Sequence, residues 1–244
     1  MRRAVPVLLL LAPAAAAAFV MSSWSILRRV STHREEMELT SLVVRGTFTF
    51  QGEAANAAAT ALKMASAPEL SAGGTVTYKM PGRCKVELDA HNGPAPAATY
   101  VNGNVKTSGP ALQAIKAFAQ YACPTLANPS GDELSSFLKA HGVDTAEATL
   151  GRVNGTVAYV IGGRPKEANV PSFWVEKDRF DPLRLIAKDG DAMEDVKMLD
   201  YSSPLSGEWH PRVVELRRGE ELTRFVADKV ETNPKLADNL FQVP

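Results

Sequence analysis

The chain has 244 residues, 45% hydrophobic and 22% charged, which is apolar mass enough for one good core. Its 27 basic residues balance its 27 acidic ones, so no cationic footprint argues for nucleic acid. An aromatic content of 7% also argues against stacking platforms for single strands.

The first element is a leader. MRRAVPVLLLLAPAAAAAFVM opens with Arg2 and Arg3, runs apolar from Val5 to about Met21 with breaks at Pro6 and Pro13, and offers small residues at Ala16-Ala17-Ala18. That layout predicts a secretory signal peptide over residues 1–18, cleaved near Ala18. Cleavage removes two arginines and leaves 27 − 2 = 25 basic against 27 acidic residues. The competing reading is a retained anchor, for which the run is short of the ~20 residues of a span and broken by its prolines. Neither cysteine directly follows the leader, so no lipid anchor is expected. Residues 19–244 are expected to form one exported, periplasmic, monomeric domain.

A helix is predicted from about Ser22 to Glu38, with Trp24, Leu27, Val30 and Met37 as its apolar stripe. LVVRGTFTFQG alternates as a strand, with Leu42, Val44, Gly46, Phe48 and Phe50 on one face. The Ala-rich stretch EAANAAATALKMASAPELSAGG reads either as a loop or as a short helix ending before Pro68. TVTYKMPGRCKVEL alternates on both sides of a Pro-Gly pair, a hairpin with one apolar and one polar face. AATYVNGNVKTSGP repeats the pattern around Asn102-Gly103.

The period then changes to 3.6. ALQAIKAFAQYA carries Leu112, Ile115, Phe118, Ala119 and Ala122 on one stripe, and GDELSSFLKAHG is a second helix turning Leu134, Phe137, Leu138 and His141 inward. From residue 145 a meander follows: TAEATLGRV, GTVAYVIGG, PSFWVEKD, PLRLIAKDG, MEDVKMLDYS, HPRVVELRRG and ELTRFVADKVET. Strands with two helices inserted between them have two simple solutions. The helices cover one face of a two-layer α+β sheet, or the sheet curls into a half-barrel and the helices close its mouth.

Motifs for chemistry are absent. There is no GxGxxG, no GxxxxGK[ST], no HExxH, no CxxC and no GxSxG. His33, His91, His141 and His210 lack metal-ligand spacing and read as surface or structural residues. Asn154-Gly155-Thr156 is a glycosylation sequon that reads better as a turn. Asp189, Asp191, Glu194 and Asp195 gather around Gly190 and read as a solvated turn rather than an acid–base pair. No metal, cofactor, catalytic residue or nucleic-acid partner is expected. Cys84 and Cys123 either form a disulfide, which an oxidising compartment permits, or remain buried thiols.

Four stretches together resemble the LolA-type periplasmic carriers of outer-membrane lipoproteins. GTVTYKMPGRCKVEL is similar to that family's first strand pair around a Lys-Arg-Pro corner, and TYVNGNVKTSGP to its next hairpin. SFWVEKDRFDPLRLI resembles a later strand-turn-strand, and VETNPKLADNLFQVP the closing strand and final Phe-x-x-Pro. The order and spacing carry the resemblance, from Trp24 to Pro244. It implies an unclosed antiparallel β half-barrel, mainly β, with an N-terminal helix and a mid-chain helical lid. It also implies a cavity that shields acyl chains, an inner-membrane donor and an outer-membrane acceptor.

On that reading Phe48, Phe50, Tyr78, Val86, Leu88, Tyr100 and Trp174 line the cavity, and Leu112, Ile115 and Phe118 belong to the lid. The bland alternative for each is core packing, which looks the same in sequence. One departure matters. The family corner carries an Arg that hydrogen-bonds the lid, whereas Lys79-Met80-Pro81 has a Met80 that cannot donate. Lys79 and Arg83 flank it as substitutes. The expected function is a soluble carrier of lipoprotein acyl chains or related lipids. The alternative is a lipid-sensing regulator or adaptor that binds a protein through the same fold.

Overall fold

The computed structural model describes residues 20–90, 93–127, 129–167 and 169–242. The leader expected over residues 1–18 lies outside them, as does His91.

Helix α1 spans Ser23–Glu36 and starts where the Ser22 hydroxyl accepts the Ser25 amide. Its buried stripe is Ile26, Leu27, Val30 and Arg34. At 100° per residue Trp24 lies roughly a quarter turn off the centre of that stripe, and it is 60% exposed rather than inward as the sequence suggested. Strand β1 (Ser41–Gln51) alternates as predicted, burying Leu42, Val44, Phe48 and Phe50. The ambiguous Ala-rich stretch is a helix, α2 (Glu53–Leu62), closed by Lys63 in the left-handed region. Only its first half is helical; Glu69 already belongs to β2 (Glu69–Lys79).

Strand β3 (Arg83–Leu88) returns alongside β2, and β4 (Ala97–Val101) and β5 (Asn104–Ser108) form the hairpin expected at Asn102-Gly103. Both turn residues have positive φ, as this turn requires. Helix α3 (Gln113–Leu126) and helix α4 (Gly131–Ala140) follow, the latter fixed by a reciprocal capping box between Ser130 and Glu133. The meander is β6 (Ala148–Val153), β7 (Thr156–Ile161), β8 (Ser172–Glu176), β9 (Pro182–Asp189), β10 (Ala192–Leu199), β11 (Val213–Arg218) and β12 (Glu221–Thr232). A short 3-10 helix, Asp238–Phe241, ends the described chain.

The twelve strands of the described residues form one sheet, in the order β5-β4-β3-β2-β1-β12-β11-β10-β9-β8-β7-β6. Every neighbouring pair is antiparallel. β5 and β6 are its two edges, so the barrel is unclosed, and α3 and α4 are the chain segment that joins those edges. The fold is an α+β half-barrel with an N-terminal helix and mid-chain helices. The long β1–β12 pair is its spine. On the other side of β1, Gly46 pairs with Gly74 of β2. A Cβ on Gly46 would meet the Val226 carbonyl and the Phe225 ring, and one on Gly74 the Phe48 ring. Glycine at both positions lets the two aromatic rings lie flat on the backbone of the curling sheet.

Candidate functional site on the concave face

The concave face is an apolar wall. Leu42, Val44, Phe48 and Phe50 of β1 continue into Val76 and Tyr78 of β2, Val86 and Leu88 of β3 and Phe225 of β12, all in one buried cluster. α3 lies across this wall. Its buried side includes Ile115, Phe118, Ala119, Tyr121 and Ala122. Phe118 meets Phe48 edge-on at 5.4 Å between ring centroids and Phe225 at 6.0 Å, and Phe48 and Phe225 are 4.5 Å apart. The small side chains of α3 let the helix approach the strands closely.

Phe48, Phe50, Tyr78, Val86, Leu88, Tyr100, Leu112, Ile115 and Phe118 are therefore brought together, and in this structure the helix fills the space between them. Trp174 is not among them. It belongs to a second cluster with Ala158, Val160 and Leu183, and its indole N–H donates to the Ser172 hydroxyl at 3.0 Å. Its neighbours Phe173 and Val175 face the concave core instead. Because both faces of β8 are covered, alternation could not tell inside from outside.

The far end of α3 is tied down in three ways. Cys123 and Cys84 form a disulfide that joins the helix to β3. The Gly82 amide, in the β2–β3 corner, donates to the Ala127 carbonyl at 2.9 Å. Arg34 of α1 donates through Nη1 to the Trp209 carbonyl at 3.1 Å and reaches the Leu126 carbonyl at 3.5 Å. A guanidinium suits this position, since it meets the negative end of the helix dipole. The corner thus holds the helix through backbone, and the arginine comes from α1 rather than from position 80. Lys79 and Arg83 do not replace it. Both bind Asp238 of the C-terminal segment, at 2.8 and 2.7 Å.

Beside Arg34 sits a buried polar pair. His210 donates from Nδ1 to the Pro211 carbonyl at 2.6 Å, which leaves Nε2 to accept the Tyr78 hydroxyl at 3.1 Å. Burial lowers the His210 pKa to about 3 and raises that of Tyr78, so both are neutral.

The near end of α3 covers a different group. The acidic run spans the β9–β10 hairpin, with Gly190 and Asp191 exposed at the turn as expected, but register carries Glu194 inward opposite Arg218. Glu194 is fully buried, with its Oε1 3.1 Å from Arg218 Nε. Neither carboxylate oxygen accepts a hydrogen bond. Burial lifts its pKa from 4.5 to about 7 despite the attraction of Arg218, and Asp189 and Glu221 push the same way as burial. Asp195 faces outward and takes a two-point ion pair from Arg184 at 2.7 and 2.8 Å. Nothing in the sequence marked Glu194 or Arg34, because their partners are remote in the chain.

At the mouth, two clefts flank the β2–β3 corner. One, of about 460 Å³, is lined by Tyr100, Phe137, Pro129 and His141 among others, and one of about 440 Å³ by Leu39, Met80, Pro81, Glu35, Glu38 and Glu133. Among the described residues no three His, Cys, Asp or Glu side chains gather as metal ligands, and no helix is long and apolar enough to cross a membrane.

No sequence-family model matches the chain, and no curated protein sequence matches it. Solved structures do. A domain named for outer membrane lipoprotein sorting, from Vibrio parahaemolyticus, aligns with a TM-score of 0.50 at 11% identity over 89% of this chain and 95% of that chain. A LolA superfamily protein from Nitrosomonas europaea aligns with a TM-score of 0.53 at 12% identity over 92% of this chain and 99% of that chain. Both likenesses cover about nine-tenths of this chain, so the chain shares the fold of these structures at a long sequence distance.

Proposed function

We propose that the protein is a soluble periplasmic carrier that takes up acyl chains of lipoproteins, or related lipids, between the concave sheet and α3. The observation that carries this reading is the lid contact itself. Phe118 and Ile115 of a single helix occupy an aromatic wall that an acyl chain would otherwise line. Each CH₂ removed from water contributes about 0.8 kcal/mol, so a long chain competes with those side chains for the wall. The lipoprotein-sorting name of the Vibrio neighbour favours acylated protein as cargo. The mature chain 19–244 would act as one monomeric, non-catalytic domain, loaded by an inner-membrane donor and unloaded by an outer-membrane acceptor.

The test is to purify the protein from the periplasm, extract it with organic solvent and identify what it carries by mass spectrometry. Stoichiometric lipopeptide supports the reading. An empty protein that also refuses acyl probes refutes it. The second reading is an adaptor for a protein partner, favoured by the mouth clefts of about 440 and 460 Å³ that stay open while the lid is shut. A protein that co-purifies in place of lipid would support that one.

A further inference from the structure

The disulfide and polar ties described for α3 lie at one end, whereas its other half is held by apolar packing. Its last turns carry the disulfide at Cys123 and the contacts of Leu126 and Ala127. Its first turn has no covalent tie, and no side chain caps the helix at Leu112. Beneath that turn Gln113, Ala114 and Ala117 close over a cavity of about 20 Å³, with Glu194, Leu216, Arg218, Glu221 and Thr223 below. A space of that size holds about one water molecule. Glu194 is buried in it, ion-paired to Arg218 through Oε1 alone, and neither oxygen accepts a hydrogen bond from the protein.

We propose that α3 opens at its N-terminal half, hinging about the Cys84–Cys123 bond, and that protonation of Glu194 holds this end shut. The role of the movement in loading rests on the carrier reading; its mechanics do not. Covering an ionised carboxylate strips most of its hydration, which one ion pair to Arg218 and a space for about one water replace only in part. The charged and titratable groups facing it are Arg218 from β11, Asp189 from β9, Glu221 from β12 and Tyr121 from α3. Arg218 favours the anion. It is already shared with Asp189, to which its Nη2 donates. Asp189, Glu221 and burial favour the neutral acid, and together they outweigh Arg218.

With the lid open the carboxyl regains water and falls toward its ordinary value of 4.5; with the lid shut it sits near 7. Closing therefore takes up a proton. The contribution to closure is complete below about 4.5, fades as pH rises to about 7 and is absent above it. The interval between the two values limits the change in the lid equilibrium to about 300-fold.

The experiment uses the oxidised mature protein. Hydrogen exchange along α3, normalised to unstructured rates, is measured at pH 5 and pH 8, together with binding of N-phenyl-1-naphthylamine, which stays uncharged over this range. In the wild type, residues 113–122 should open at least tenfold more at pH 8, residues 123–126 should not change, and the probe should bind more tightly at pH 8. Glu194→Gln should be protected at both pH values. Arg218→Met should move the midpoint to higher pH. A Glu194→Gln protein with the wild-type pH profile would overturn the proposal, as would opening that begins at residues 123–126. Exchange that follows the proposal while the probe never binds would uphold the hinge and remove the carrier reading. Probe binding with no pH dependence in exchange would do the reverse.

Discussion

Breaking the Cys84–Cys123 bond tests how α3 is held. The bond spans 39 residues and joins the helix to β3. Closing a loop of that length removes about 13 cal/mol/K from the unfolded chain, or about 4 kcal/mol at 25 °C. Reducing the wild-type protein isolates this effect, because both buried sulfurs stay in place. The double variant Cys84→Ala, Cys123→Ala adds the loss of two buried sulfur atoms, roughly 1 kcal/mol each. Alanine is the better replacement, since both sites are fully buried and serine would bring an unpaired hydroxyl. With a urea slope of about 2–3 kcal/mol/M, reduction alone should lower the unfolding midpoint by about 1.3–2 M. Circular dichroism with and without a phosphine reductant measures it. A shift worth less than about 1 kcal/mol would refute the reasoning, because a cross-link of this span must constrain the unfolded chain more than that.

Three other outcomes follow from particular contacts. Phe48→Ala removes the ring that meets Phe50, Phe118 and Phe225; it should cost about 3–5 kcal/mol in urea unfolding and increase uptake of an apolar probe, whereas weaker uptake would count against the concave wall as the binding surface. Gly46→Ala drives a methyl into the Val226 carbonyl and the Phe225 ring; it should cost at least about 1–3 kcal/mol by thermal melting, and an unchanged melting temperature would contradict the packing described for β1 and β12. His210 has a folded pKa of about 3 against 6.5, so its contribution is complete above pH 6.5 and is lost as pH falls toward 3. The urea midpoint should therefore fall on acidification from pH 6.5 to 4, and His210→Gln should flatten that slope. Glu194 has the opposite sign, its contribution fading as pH rises toward 7, so Glu194→Gln should steepen the acid loss rather than flatten it.

The strands were legible where one face meets solvent. The hairpin at Asn102-Gly103 and the alternation of β1 and β3 could be read directly, because period 2 and the turn residues agree. Legibility failed where burial breaks that rule. Every residue of β8 is buried, so alternation fits either face, and Trp174 lies on the outer one rather than on the concave wall where the resemblance puts it. Glu194 looked like part of a polar turn because its neighbours are Asp189, Gly190 and Asp191; only the register with β11, some twenty positions on, buries it against Arg218. Arg34 is one of several charges in the sequence of α1, yet the packing of that helix turns it inward to the Trp209 and Leu126 carbonyls. The disulfide was an open alternative for a similar reason. It depends on where α3 crosses β3, which no local pattern encodes.

These placements bear on how a carrier can both hold and release. The wall that would take an acyl chain is already occupied, by Phe118 and Ile115 of the tethered helix. A tethered competitor acts at high effective concentration, so the gain of about 0.8 kcal/mol per buried CH₂ is offset by the contacts the helix must give up. A chain that bound an empty cavity would be held too tightly to pass on. On the proposed carrier reading, one that must displace the helix would be held by the difference and would leave as the helix returns. The disulfide, the Gly82 contact and Arg34 keep the helix in register for that return. The end over Glu194 is the part free to yield, so the polarity of the two ends decides which of them moves.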